Sequence, residues 1–202
     1  MKAVTTLLMV IGVIGIIVIF ALLMGLVLFS LDPPIKSQLR PIQVSADAVE
    51  SFDEQIDAMK QKIEAASIAN EKKEVTLNIS EDEINSKVIE LLAHGELPLK
   101  EILINFDEDL CKVYAIYNKP AINTKMGLVA QLMVSKGNIK IVVVDFQLGK
   151  LPLPRSAVES VGSVLDIMLR MEGIADDLSI DITSVTVEDE FLVIRGLTRS
   201  SK

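Results

Sequence analysis

The chain contains no tryptophan, one cysteine and one histidine. A single cysteine excludes an internal disulfide framework. Cys111 opens an apolar strand pattern with no second thiol or histidine near it in sequence, so it lacks the partners of a zinc site or a thiol nucleophile and reads as core filler. His94 stands beside Gly95 at the end of a helical pattern, where an imidazole faces the helix dipole as a cap or a solvated end. There is no phosphate loop, dinucleotide fingerprint or nucleophile elbow. The triplets Asp107-Glu108-Asp109 and Glu188-Asp189-Glu190 lack the ligand spacing and glycine of a calcium loop and read as hairpin tips. No cofactor or metal is expected, and no enzymatic activity; a hydrolase built on scattered carboxylates stays as an alternative.

Charge is missing altogether from Ala3 to Leu31. As a helix this run reaches about 43 Å, more than the roughly 30 Å of a bilayer core. A cleaved secretory signal has a shorter apolar region that ends in small residues, whereas this one ends LFSLDPP. The expectation is a single-pass signal anchor over residues 1–31; Lys2 lies before the span and Lys36 and Arg40, partly offset by Asp32, lie after it, and the short leading tail puts the N-terminus in the cytoplasm and the remainder outside. The 20 basic residues less Lys2 leave 19 against 28 acidic ones outside it, a net of −9 that argues against a nucleic-acid partner. The charge is segregated: residues 45–111 carry 17 acidic and 6 basic side chains, whereas residues 119–155 carry 6 basic ones and only Asp145.

Residues 32–44, with Pro33, Pro34 and Pro41, read as a stiff linker. Residues 45–202 form the expected extracytoplasmic domain. Ser45 caps a helix in which Val49, Phe52, Ile56, Met59, Ile63 and Ala66 recur at three- and four-residue spacing to about Asn70. This stripe packs on its own domain or serves as a seam for a protein partner or a second copy. VTLNIS reads as a strand, and Ser80 with Glu83 supplies the capping box of a second helix stopped by Gly95. Strands over Leu99–Phe106, Leu110–Asn118, Met126–Ser135 and Ile139–Leu148 make an antiparallel meander, with loops at Asp107–Asp109, Lys119–Lys125 and Lys136–Asn138. A third helix carries Val158, Val161, Val164, Leu165, Met168 and Met171 and ends near Gly173. Two further strands, Leu178–Val187 and Phe191–Leu197, close an α+β fold of an antiparallel, curved sheet packed with long helices. Several strands are apolar on both faces, so either helices cover both or one face lines a groove for an apolar molecule.

Two similar joints punctuate this pattern, GELPL (Gly95–Leu99) and GKLPL (Gly149–Leu153). In a simple meander both fall at one end of the sheet, with the 119–125 connection. That rim gathers Leu97, Leu99, Ile122, Leu151 and Leu153 together with Lys119, Lys125, Lys150 and Arg155. Apolar side chains ringed by cations suit a membrane surface or lipid with anionic headgroups, at about 1 kcal/mol per basic residue. The alternative is that Leu97 and Leu153 pin helix ends to the core.

The order of an N-terminal anchor, a strand into ISEDEINSKV (Ile79–Val88), strand hairpins, FQLGKLPLP and a helix resembles the YpmS-like family of membrane-anchored bacterial proteins. More distantly it is similar to envelope proteins of tubular lipid-binding (TULIP-like) fold. Gly173–Asp177 stands where that family often carries a proline and a tryptophan. The resemblance implies an envelope domain that holds a lipid or other apolar ligand between a long helix and a curved sheet. The alternative is a scaffold that docks a protein partner through the 45–70 helix.

Overall fold

The computed structural model describes residues 19–96, 99–119, 122–151, 153–162 and 180–199. Residues 19–30 are the described part of the apolar helix α1, and the segment Ile19–Gln38 is long and apolar enough to cross a bilayer, with little of it buried against the protein. Large side chains such as Phe20, Leu22 and Leu26 stand about two-thirds exposed on it. Leu28 and Phe29, at its end, are partly buried.

A 3-10 helix over Pro34–Gln38 follows, started by the proline that fits a first-turn position. Helix α2, Ala46–Ala69, begins where the Ser45 hydroxyl accepts the Ala48 amide at 3.1 Å and stops at Asn70 in the left-handed region. Strand β1, Glu74–Ser80, runs straight into α3, Glu81–Ala93, and the junction is the expected capping box: Ser80 accepts the Glu83 amide and Glu83 accepts the Ser80 amide. His94 is the exposed C-cap of α3, and Gly95 follows in the left-handed region.

The strands form two antiparallel sheets. One is the meander of β2 (Leu99–Asp107), β3 (Leu110–Lys119), β4 (Ile122–Ser135) and β5 (Asn138–Leu148), in that order. The other places β7 (Phe191–Thr198) between β1 and β6 (Ile180–Glu188). The expectation of one sheet missed this second layer because β1 pairs with a strand more than a hundred residues away, from Glu74↔Leu197 to Ser80↔Phe191. Val75, Leu77 and Ile79 of β1 are buried while Thr76 and Asn78 are exposed, so this sheet keeps one wet face.

The buried face of that sheet meets the stripe of α2. Phe52, Ile56, Met59 and Ile63 pack against Val75, Leu77, Ile79, Ile180 and Ile182. Each such side chain is worth about 1.5–3 kcal/mol when fully buried. A second cluster joins the two sheets: Ile104 and Phe106 of β2 meet Val187 and Leu192, with Ile84 and Val88 of α3 beside them. Most of the α2 stripe is therefore occupied by its own domain, while Val49, at its first turn, is only partly buried.

Strand β4 starts at Ile122, paired with Lys119, so residues 122–125 of the expected 119–125 loop belong to the β3–β4 ladder. Asn123, Thr124 and Lys125 look like loop residues in sequence, yet they continue the ladder opposite Asn118, Tyr117 and Ile116. Thr124 is buried, and the Lys125 amine is matched by a carboxylate from the segment before α2. Residues 155–162 are helical and open α4; the rest of the expected third-helix stripe, Leu97 and the start of the Leu178 strand lie outside the described residues.

Candidate functional site

The end of α1 meets the meander at the sequence FQLGKLPLP. The Lys150 amide donates to the Leu28 carbonyl at 2.7 Å, and the Gly149 amide donates to the Lys125 carbonyl at 2.8 Å. Gly149 has φ +57, and a Cβ there would run into the carbonyl oxygens of Leu28 and Phe29. Only glycine combines that backbone turn with so close an approach. Leu151 bridges back to Leu148, closing the turn.

Beyond α1 the chain does not hang free. Residues 32–40 run as a strap across one face of the meander, from the end where α1 arrives to the opposite hairpin tips. At the α1 end, Asp32 receives the amines of Lys125 at 3.1 Å and Lys36 at 3.3 Å and the hydroxyl of Tyr114 at 3.1 Å. The Lys36 amine also lies 4.6 Å from the centre of the Tyr114 ring. Tyr114 is fully buried, and that burial pushes its phenol up from the ordinary value. Ile35, also buried, lies against Gly127, where a Cβ would collide with it, and its amide donates to Gln147 at 3.2 Å.

The far end of the strap is Arg40. Its amide donates to Asn105 at 2.7 Å, and its guanidinium reaches Glu81 at 2.8 Å, the Phe106 carbonyl at 2.6 Å, and Asp189. The nearby carboxylates, Asp189 first, hold the guanidinium pKa above its ordinary value. Glu81 is buried and also accepts the Asn105 amide at 2.9 Å and the Phe106 backbone amide. Asn85, fully buried on the next turn of α3, exchanges hydrogen bonds with both backbone groups of Ile104 at 2.7 and 2.8 Å. The knot therefore ties the strap, α3, β2 and the β6–β7 tip together, with its buried polar groups matched.

The register brings Leu99, Lys119, Ile122, Lys125, Lys150 and Leu151 to one end of the meander, the end where α1 arrives. Leu99, Leu151 and Leu153 are partly buried there, and Lys150 is exposed. Arg155 is 93 % exposed and lies 3.4 Å from Glu159. Lys125 is engaged internally by Asp32, so it is a structural cation of the strap. Asp32, Tyr114, Arg40, Asn85 and Asn105 had no motif to announce them. Their partner Glu81 left one signal, a Glu-Asp-Glu helix start with two more carboxylates than the capping box uses.

No family model matches the chain, and no curated protein matches it. The chemistry open to the site rests on its own residues. Burial, with Glu81 nearby, pushes the Cys111 thiol up to about 12, which keeps it protonated and poorly nucleophilic. Among the described residues no three His, Cys, Asp or Glu side chains cluster to hold a metal.

The α1 end of the meander also carries a partly buried apolar row. Side chains alternate across a strand, so with Gly127 and Gln147 facing the strap, Met126, Leu128, Phe146 and Leu148 face the other way. Leu128 lies between Val113 and Phe146 in the ladder, and Met126 between Ala115 and Leu148. All four are only partly buried. Farther along this face, Gly162 of α4 lies over Val143, with its Cβ position 3.4 Å from the Val143 side chain.

Proposed function

We propose that this is a single-pass membrane protein whose α+β domain, outside the cytoplasm in the bacterial envelope, takes up a lipid acyl chain or similar apolar ligand on the membrane end of its meander. The observation that carries this reading is the partly buried apolar face of Met126, Leu128, Phe146 and Leu148, contiguous with the point where α1 joins the sheet. Lys150 and Arg155, both exposed, suit the phosphate of an anionic headgroup, at about 1 kcal/mol each near a membrane surface. Placement outside the cytoplasm follows the resemblance to YpmS-like and TULIP-like proteins.

The full chain in nanodiscs doped with a phospholipid carrying a diazirine on its acyl chain tests this. Labelling at residues 126–129 and 146–148, lost in Leu128→Asp with an unchanged far-UV spectrum, is the expected result. Labelling confined to α1 overturns it.

A further inference from the structure

We propose that the open groove between α2 and α3 is a docking site for a basic amphipathic helix of a partner protein. The groove, of about 670 Å³, has a floor of Val49, Ile89 and Ala93 and is rimmed by Glu50, Asp53, Glu54 and Asp57. These four acidic residues follow the i, i+3, i+4, i+7 pattern that places side chains along one face of a helix. From Ala46 to Asp57 the wall runs about 17 Å at 1.5 Å per residue, the length of three turns of a docked helix.

Charge chooses the occupant. Lys87 reaches across to Asp53 and Glu90 at 2.8 Å each, and Lys60 lies 3.7 Å from Asp57, which leaves Glu50 and Glu54 without a cation among the described residues. Among the described residues that line the groove none is basic; Lys87 lies beside it, paired with Asp53 and Glu90. An anionic lipid surface is repelled by this rim, and a symmetric contact with a second copy of the chain sets α2 and α3 helices of the same sign against each other. A helix with apolar anchors at i, i+3, i+4 and i+7 and lysine or arginine on its flanks satisfies both floor and rim. This site is separate from the apolar face of the meander.

The test uses the full chain in phosphatidylcholine nanodiscs and a synthetic helix of about 14 residues, with leucines at the anchor positions, lysines on the flanks and one photoreactive benzoylphenylalanine. Crosslinks are expected within residues 44–57 and 86–93. Capture should weaken about tenfold in Glu50→Lys/Glu54→Lys, whose substituted positions are exposed. A peptide with glutamate flanks should not label the groove. Equal labelling of the double variant, equal labelling by a scrambled peptide of the same composition, or crosslinking of the groove to a second copy would each overturn the proposal.

Discussion

The Lys150 amide and the Leu28 carbonyl, 2.7 Å apart, join the end of the apolar helix α1 to the last turn of the meander. The bond exists because Gly149 lets the backbone pass under Leu28 and Phe29 with no Cβ in the way.

Replacing Gly149 with valine places a side chain against two carbonyls and strains a left-handed φ, at a cost of about 1–3 kcal/mol. Gly95 is the control, since its φ is +74 yet nothing lies within 4 Å of its Cβ position. Gly95→Ala should therefore show only the backbone penalty of about 1 kcal/mol. Thermal melts of both variants should separate them, and Gly149→Val alone should speed protease cleavage between residues 31 and 40.

Gly127→Ala collides with Ile35 and should lift the middle of the strap, with a loss of about 1–3 kcal/mol. Adding Ile35→Ala removes the obstructing atom. If strap and strand touch as described, the double variant loses less than the sum of the single ones in a denaturant titration.

Arg40→Ala leaves the buried Glu81 carboxylate with only its two amide donors and should destabilise the domain by about 1–3 kcal/mol. Arg40→Lys should not restore it. One guanidinium nitrogen serves Glu81 and the Phe106 carbonyl while the other serves Asp189, and an ammonium has no such fork. Urea midpoints of the three proteins decide this.

Acid should loosen α2 from α3 through Glu83. Burial opposes its ionisation, but hydrogen bonds from Ser51, Ser80 and Gln55 outweigh that and hold its pKa below the ordinary 4.5. A carboxylate whose folded pKa is depressed adds stability that is fully present above its unfolded value and is lost as pH falls through the folded one. Stability measured against pH should thus drop below about 4.5 in the parent, and Glu83→Gln should flatten that part of the curve.

Local signals in the sequence were enough for the helix starts at Ser45 and Ser80, the four-strand meander, and the common end of the two Leu-Pro-Leu joints. Each depends on residues within a few positions of one another. Asp32 with Lys125, Arg40 with Glu81 and β1 with β7 depend on pairings that no local pattern encodes. The same ignorance made residues 32–44 look like a linker and Asn123-Thr124-Lys125 like a loop, because polar residues read as solvated until their partners are known. Lys125 looked like a rim cation for the same reason. The leucines of GKLPL divide the two expectations: Leu151 and Leu153 are partly buried, part core and part surface.

A free tether of 13 residues would let the domain roam up to about 45 Å from the bilayer. Pinned at Asp32 and again at Arg40, the strap removes that freedom. The domain is thereby held at one distance and one orientation from the end of α1, so that helix and domain turn together rather than independently.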